Sequence, residues 1–195
     1  MNAGSFYSED ELPQLGLGAF GQRVRISRRA SFYNPAAIRL GDNVRIDDFA
    51  ILSGGQGITI GSHVHLGAYT ALYGGGRITM DDFTGLSPRS TIFSETDDVS
   101  GASLTNPTIP RRYKPTLHTA PVRLRCHSAM GANSTIMPGV ELGEGAVVGA
   151  HSLVMKSCLP WSIYFGVPAQ RLKARSQKLL ESTEQFLVDF AAGNA

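Results

Sequence analysis

Cysteine is scarce, charge is sparse and no long apolar run occurs, and each shortage closes off a class of protein. Two cysteines, Cys126 and Cys158, in 195 residues cannot form the disulfide framework of a small secreted domain. Cys158 falls where the chain's spacing wants a small apolar residue, and Cys126 lies within a strand-like unit with no helix terminus to activate it, so neither reads as a nucleophile. Charged residues make up 17% of the chain and the net charge is +2. With no dense Lys/Arg stripe, that excludes the electrostatic footprint of a nucleic-acid binder. The stretch from Met1 to Glu11 has no basic segment followed by an apolar one, and nowhere do eighteen apolar residues run together. A cytoplasmic protein without membrane insertion is therefore expected. From Phe20 to Lys156 the 3.6-residue period of a helix and the two-residue period of a meander are missing as well.

What is present is a beat of six. Ile60-Gly-Ser-His-Val-His, Leu66-Gly-Ala-Tyr-Thr-Ala and Leu72-Tyr-Gly-Gly-Gly-Arg each open on an aliphatic residue. Leu124, Met130, Ile136, Leu142, Val148 and Val154 open six consecutive hexads, with Ser128, Ser134, Val140, Ala146, Ser152 and Cys158 at the fourth place after each. Earlier, two extra residues per round set Phe20, Leu40, Ile60 and Met80 twenty apart. Ile26, Ile46, Leu66 and Leu86 form a second column, and Phe32, Leu52, Leu72 and Ile92 a third. Three columns at this period imply a triangular coil: each hexad makes one short side, its opener points inward, and the small residue turns the corner. Coils stacked as parallel strands about 4.8 Å apart turn each column into an internal ladder.

This pattern resembles the hexapeptide repeat of the left-handed β-helix acyltransferases over roughly residues 20 to 175. The resemblance implies an all-β solenoid of about six triangular coils, left-handed, with a long loop after the fourth. Residues 1–19 would cap the first coil, 20–169 would form the β-helix with an arm at 93–123, and 170–195 would form a C-terminal helical cap. Glu11, three places after Ser8, fits a short capped turn that Pro13 and Gly16 end. Leu172, Leu179, Leu180, Phe186, Leu187 and Phe190 follow helical spacing, read as a lid over the last coil. Glycine-rich corners at Ser53-Gly-Gly-Gln-Gly and Tyr73-Gly-Gly-Gly-Arg, one above the other, would bulge and leave room for a groove. The arm holds four of the ten prolines (Pro107, Pro110, Pro115, Pro121), with Leu104, Ile109, Tyr113 and Leu117 as anchors against a neighbouring subunit.

In this family the acyl donor is a coenzyme A thioester lying along the late coils between subunits of a homotrimer. Matched to the family's terminal signature, Ala132 and Ala150 fall where backbone groups meet the pantetheine. Lys156 falls near the cofactor, Pro168 in the turn against the adenine, and Arg171 and Lys173 where cations pair with phosphate. The chain departs from relatives at Gln170, usually basic, and at Ala129, where many carry tryptophan.

Many members place a histidine base just after the equivalent of Ile92, where this chain has Ile92-Phe-Ser-Glu-Thr-Asp97-Asp98. A carboxylate with a pKa near 4 is a weak base for a hydroxyl, whereas an amine with a pKa near 8 is partly free at neutral pH. Asp97 or Asp98 thus suits an amino-sugar acceptor, and Tyr73 and Asn106 are candidate acceptor contacts. The run Ser100-Gly-Ala-Ser-Leu-Thr-Asn-Pro resembles the arm of sugar acetyltransferases of surface-polysaccharide synthesis. An acetyl-CoA-dependent transferase acting on a sugar or nucleotide-linked sugar is the leading expectation. O-acetylation with His65 or His118 as base is the alternative. A zinc hydratase of the same fold needs three converging histidines, but His63 and His127 stand two coils apart, about 10 Å, with Phe83 between. No metal is expected, and the basic cluster argues against a non-catalytic scaffold.

Overall fold

The computed structural model describes residues 5–193. The three columns become three walls of parallel strands. The first wall stacks Arg25–Ile26, Arg45–Ile46, His65–Leu66, Gly85–Leu86, Ala129–Met130, Val147–Val148 and Ser162–Phe165. The second stacks Ser31–Tyr33, Ile51–Ser53, Ala71–Tyr73, Thr91–Phe93, Thr135–Ile136 and Leu153–Val154, and the third runs from Ile38–Leu40 to Glu141–Leu142. Register follows the hexads residue by residue: Ile26 pairs with Ile46, Ile46 with Leu66, Leu66 with Leu86, Leu86 with Met130, and Met130 with Val148. All six are at most 1% exposed. The result is a parallel β-helix whose core is a column of stacked aliphatic side chains. Phe20 and Phe32, in the first coil, are only partly buried against it.

The corners explain the small residues. Ser128 and Ser134 are fully buried where bulk would not fit. Ser134 Oγ donates to the Gly149 carbonyl and accepts from Ser152 N–H, so the hydroxyl satisfies backbone groups that the turn leaves over. At most corners the residue before the buried one adopts a left-handed conformation, among them His63, Phe83 and His127 at φ near +58°. Their rings project outward and stack on one another, His63 to Phe83 at 4.9 Å and Phe83 to His127 at 5.0 Å.

Two expectations are corrected. The solenoid has about seven turns rather than six. Although Pro160-Trp161 breaks the hexad beat, Trp161 takes the left-handed corner at φ 49° and Tyr164 pairs with Val148. Secondly, the segment from Arg171 is not helical. Gln170–Ala174 runs antiparallel to Ser162–Phe165 as an edge strand, and the helix, α1, spans Leu179–Ala191. Nor is α1 a lid on the last coil. Arg175 donates to the carbonyls of His127 and Gly145, turning the chain back along the stacked corner. Phe186 and Phe190 then set their edges against His63, each at 5.1 Å, and Arg23 of the first coil lies over the Phe190 ring. The outward ring stack is an apolar strip a helix can cover, whereas the last wall already has its edge strand. The glycine corners pack tightly on one another, and a cavity opens beside them, lined in part by Gln56, Gly76 and Arg77. A Cβ on Gly55, which sits at φ +41°, would lie 1.6 Å from the Gly74 carbonyl oxygen.

At the other end, the expected turn is a 3₁₀ segment at Leu12–Leu15, closed by Gly16 at φ 68°. Glu11 accepts from Ser8 N–H, and Leu12, 2% exposed, plugs the first coil.

Candidate functional site

The second wall has two edges, and the predicted site residues divide between them. At its leading corner Ala132 and Ala150 lie one coil apart, the His151 N–H donating to the Ala132 carbonyl. The turn carrying Pro168 folds onto the same place: Leu153 N–H donates to the Gly166 carbonyl, and Ala169 N–H to the Leu153 carbonyl. Arg171 and Lys173 stand on the adjoining edge strand, Arg171 Nε donating to Ser162 Oγ at 3.0 Å. Lys156 is exposed but follows Leu153–Val154, so it sits at the trailing edge, away from Ala132 and Ala150.

The arm leaves from that trailing edge. Glu95–Thr96 pairs antiparallel with His118–Thr119, which returns the chain to the third wall, and Arg111 bridges Glu95 at 2.7 Å across the base. Pairing of Thr96 with His118 brings that histidine within a residue of Asp97. Tyr73 stacks on Phe93 at 5.2 Å beside the arm's departure point. A cavity of about 430 Å³ opens under its base, lined by Gln56, Gly76, Arg77, Thr119, Ala120 and Pro121.

Asp97 and Asp98 are adjacent in sequence but different in setting. Asp98 accepts from the Ser100 N–H and hydroxyl and from the N–H groups of Ala102 and Ser103, a fan that ties the loop together. The Ser100 N–H leads in bringing its pKa down to about 2. Because the folded value lies below the ordinary one, the stabilisation is complete above about pH 4 and is lost as pH falls through about 2. The amide resonances of Ser100, Ala102 and Ser103 are expected to titrate together near pH 2; a common midpoint near 4 would mean that this fan does not exist in solution.

Asp97 accepts from Asn106 N–H at 2.8 Å on one oxygen and from Lys114 Nζ at 3.1 Å on the other. The Asn106 N–H, then the Lys114 ammonium, hold its carboxyl below the usual range, so it is ionised at neutral pH. Lys114 was not foreseen from sequence. A lone lysine among four prolines gives no local sign that it turns inward.

His65 lies on the outer face of the first wall, remote from the arm in chain and sheet. Its Nε2 is 2.7 Å from Asp47 Oδ2. Burial raises Asp47, but hydrogen bonds from His65 and Arg45 bring it below its ordinary value overall. His63 and His127 are separated by the Phe83 ring, which leaves no position a metal could share with both. Burial, then Asp81, raises the Cys126 thiol, and burial pushes Cys158 up to about 12, so both stay protonated.

This architecture defines a hexapeptide-repeat solenoid with a proline-rich arm. A family model for the hexapeptide repeat of succinyl-transferase matches residues 127–153. The chain is 37% identical to dTDP-4-amino-4,6-dideoxy-D-glucose acyltransferase of Escherichia coli over 183 residues, 93% of this chain and 95% of that one. It therefore belongs to the hexapeptide-repeat acyltransferases. Among solved structures, AntD, an N-acyltransferase from Bacillus cereus, is 48% identical over 96% of this chain and all of that one, with a TM-score of 0.92, in complex with dTDP-4-amino-4,6-dideoxyglucose and coenzyme A. A maltose O-acetyltransferase from Clostridium difficile 630, 18% identical with a TM-score of 0.56 over 87% of this chain and 75% of that one, shares the fold alone. Among the described residues no helix is long and apolar enough to cross a membrane.

Proposed function

We propose that this protein is a cytoplasmic N-acyltransferase that moves an acyl group from coenzyme A to the amine of a nucleotide-linked amino sugar of the dTDP-4-amino-4,6-dideoxyglucose type. The observation that carries the reading is Asp97: an anchored, ionised carboxylate at the head of the arm, where histidine-dependent relatives need a base. The amine nitrogen attacks the thioester carbonyl carbon. As the N–C bond forms the nitrogen becomes cationic, and a carboxylate that accepts its N–H stabilises that charge. The C–S bond then breaks, the nitrogen gives up one proton, and coenzyme A leaves as the thiol. Asp97 need not be a strong base, because the amine is already partly neutral at pH 7.

The relatives support this reading. Solved forms of AntD carry substitutions at a serine and at an aspartate ten positions further on. In this chain the only serine and aspartate ten apart are Ser87 and Asp97. Ser87, which follows Gly85–Leu86 at the leading corner, thereby joins the candidate site. AntD also binds 3-hydroxybutyryl-CoA, so an acyl group larger than acetyl is a fair candidate donor here.

Within one chain, the second wall separates Ser87, Ala132, Ala150 and Pro168 from Asp97, Asn106 and Tyr73. A neighbouring copy must supply one half, which favours the closed trimer. Arg171 and Lys173 would face the phosphates of the acyl donor. A second reading, O-acylation, rests on the His65–Asp47 pair, which could orient an imidazole as base. Thiol release with acetyl-CoA and 3-hydroxybutyryl-CoA, against amino sugars and their hydroxyl counterparts linked to dTDP, separates the two. Turnover is expected with the amine alone; turnover confined to the hydroxyl acceptors would remove the N-acyl reading.

A further inference from the structure

Among the described residues Lys114 is the one charged side chain that is buried, its side chain 8% exposed. It lies outside the solenoid core, in the arm, so no core packing demands it. Taking an ammonium out of water is costly unless every partner is in place. Here the partners form a ring. Lys114 Nζ donates to Asp97 Oδ1 at 3.1 Å and to the Asn106 carbonyl at 3.0 Å, while Asn106 N–H donates to Asp97 Oδ2 at 2.8 Å. The backbone sets the lysine's place: it closes the 3₁₀ turn Arg111–Tyr113, its N–H donating to the Arg111 carbonyl, with Pro115 preventing the turn from continuing. The arm's other cross-links, Glu95 with Arg111 and Ser103 with Thr116, already tie its strands together without Lys114.

We propose that Lys114 is a positioning residue for acyl transfer: its buried ammonium clamps Asp97 and the Asn106 backbone into one rigid ring and so fixes the direction in which the Asp97 carboxylate meets the acceptor amine. This rests on the role assigned above to Asp97. Lys114 touches neither substrate. Its effect runs through Asp97, on turnover rather than on donor binding. Arginine retains the charge and the donors, whereas methionine keeps the length and loses both.

The full-length protein is assayed as Lys114→Met, Lys114→Arg, Asp97→Asn and Lys114→Met with Asp97→Asn, using the donor and amino-sugar acceptor that turn over fastest in the panel above. Lys114→Met is expected to lower kcat on the order of tenfold to a hundredfold with KM for the acyl donor unchanged, and Lys114→Arg to restore most of the loss. In the Asp97→Asn background Lys114→Met is expected to cost nothing more, because a residue that acts only through its neighbour has no effect once that neighbour is gone. An equal loss of kcat in both backgrounds would make Lys114 a general staple of the arm and overturn the proposal. So would wild-type kcat in Lys114→Met beside a slow Asp97→Asn. Wild-type kcat in Asp97→Asn itself would instead overturn the assignment of Asp97, on which this inference stands. Thermal unfolding of each variant separates a misfolded arm from a misdirected carboxylate, since the arginine variant is expected to unfold with the wild type.

Discussion

Asp97→Asn is expected to lower kcat by about 10²-fold or more while leaving KM for the acyl-CoA donor within a small factor of wild type. Asparagine keeps the shape and one acceptor oxygen but not the charge. The ammonium-like nitrogen that forms as the thioester is attacked would then face a neutral amide in place of a carboxylate. The change also places an NH₂ donor next to the Lys114 ammonium or the Asn106 N–H, two donors that now meet a third. Part of the effect is therefore a reorganised ring, and Asp97→Glu separates the two: charge is retained and reach altered, so a partial loss is expected. Steady-state kinetics with the nucleotide-linked amine as acceptor measures this. Full turnover by Asp97→Asn would show that no residue of the arm assists the nitrogen in this way.

Leu66→Ala is expected to be the most damaging of the conservative truncations, destabilising by about 2–5 kcal/mol. Leu66 is fully buried and pairs in register with Ile46 below and Leu86 above. Its removal leaves a void in the middle of a ladder whose neighbours are held by strand hydrogen bonds and cannot close in. For a chain of this size that corresponds to a fall in Tm of about 5–20 °C. Two comparisons make the test specific. Leu66→Met, which nearly conserves volume, should cost less than about 1.5 kcal/mol. Phe32→Leu, in the half-buried first coil, should cost less than Leu66→Ala because Phe32 closes no internal void. A Leu66→Ala protein with an unchanged Tm would mean that this ladder does not carry the solenoid's stability.

Much of the solenoid could be read from the chain, and the reason is local. Ile26, Ile46, Leu66 and Leu86 recur at a fixed interval because each coil repeats the geometry of the last, so position in sequence converts directly into position in a column. The corners were legible for the same reason, down to Ser128 and Ser134. The rule fails where the repeat does. Tyr164 extends the first wall after Pro160-Trp161 has broken the pattern, because its strand bonds persist without a hexad to announce them. The apolar spacing after Arg171 correctly marks a helix at Leu179–Ala191 but not its start or its place. The strip it covers, His63 and Phe83, lies more than a hundred residues earlier, and nothing near Phe186 or Phe190 encodes that meeting.

The candidate site divides along the same line. That Asp97 stands where a histidine is common in the resembling family was visible in the sequence, as were the late-coil residues proposed for the donor side. The different settings of Asp97 and Asp98 were not: one is fanned by backbone amides of its own loop, the other is ringed by Asn106 and a buried lysine seventeen residues away. Residue order alone determined the repeat, the ladders, the position of the arm and the chemical types at its head, since each depends only on spacing along the chain. Which carboxylate is paired, where Lys114 turns inward and which corner α1 covers were decided by tertiary structure, because burial and charge pairing arise between segments that the sequence keeps apart.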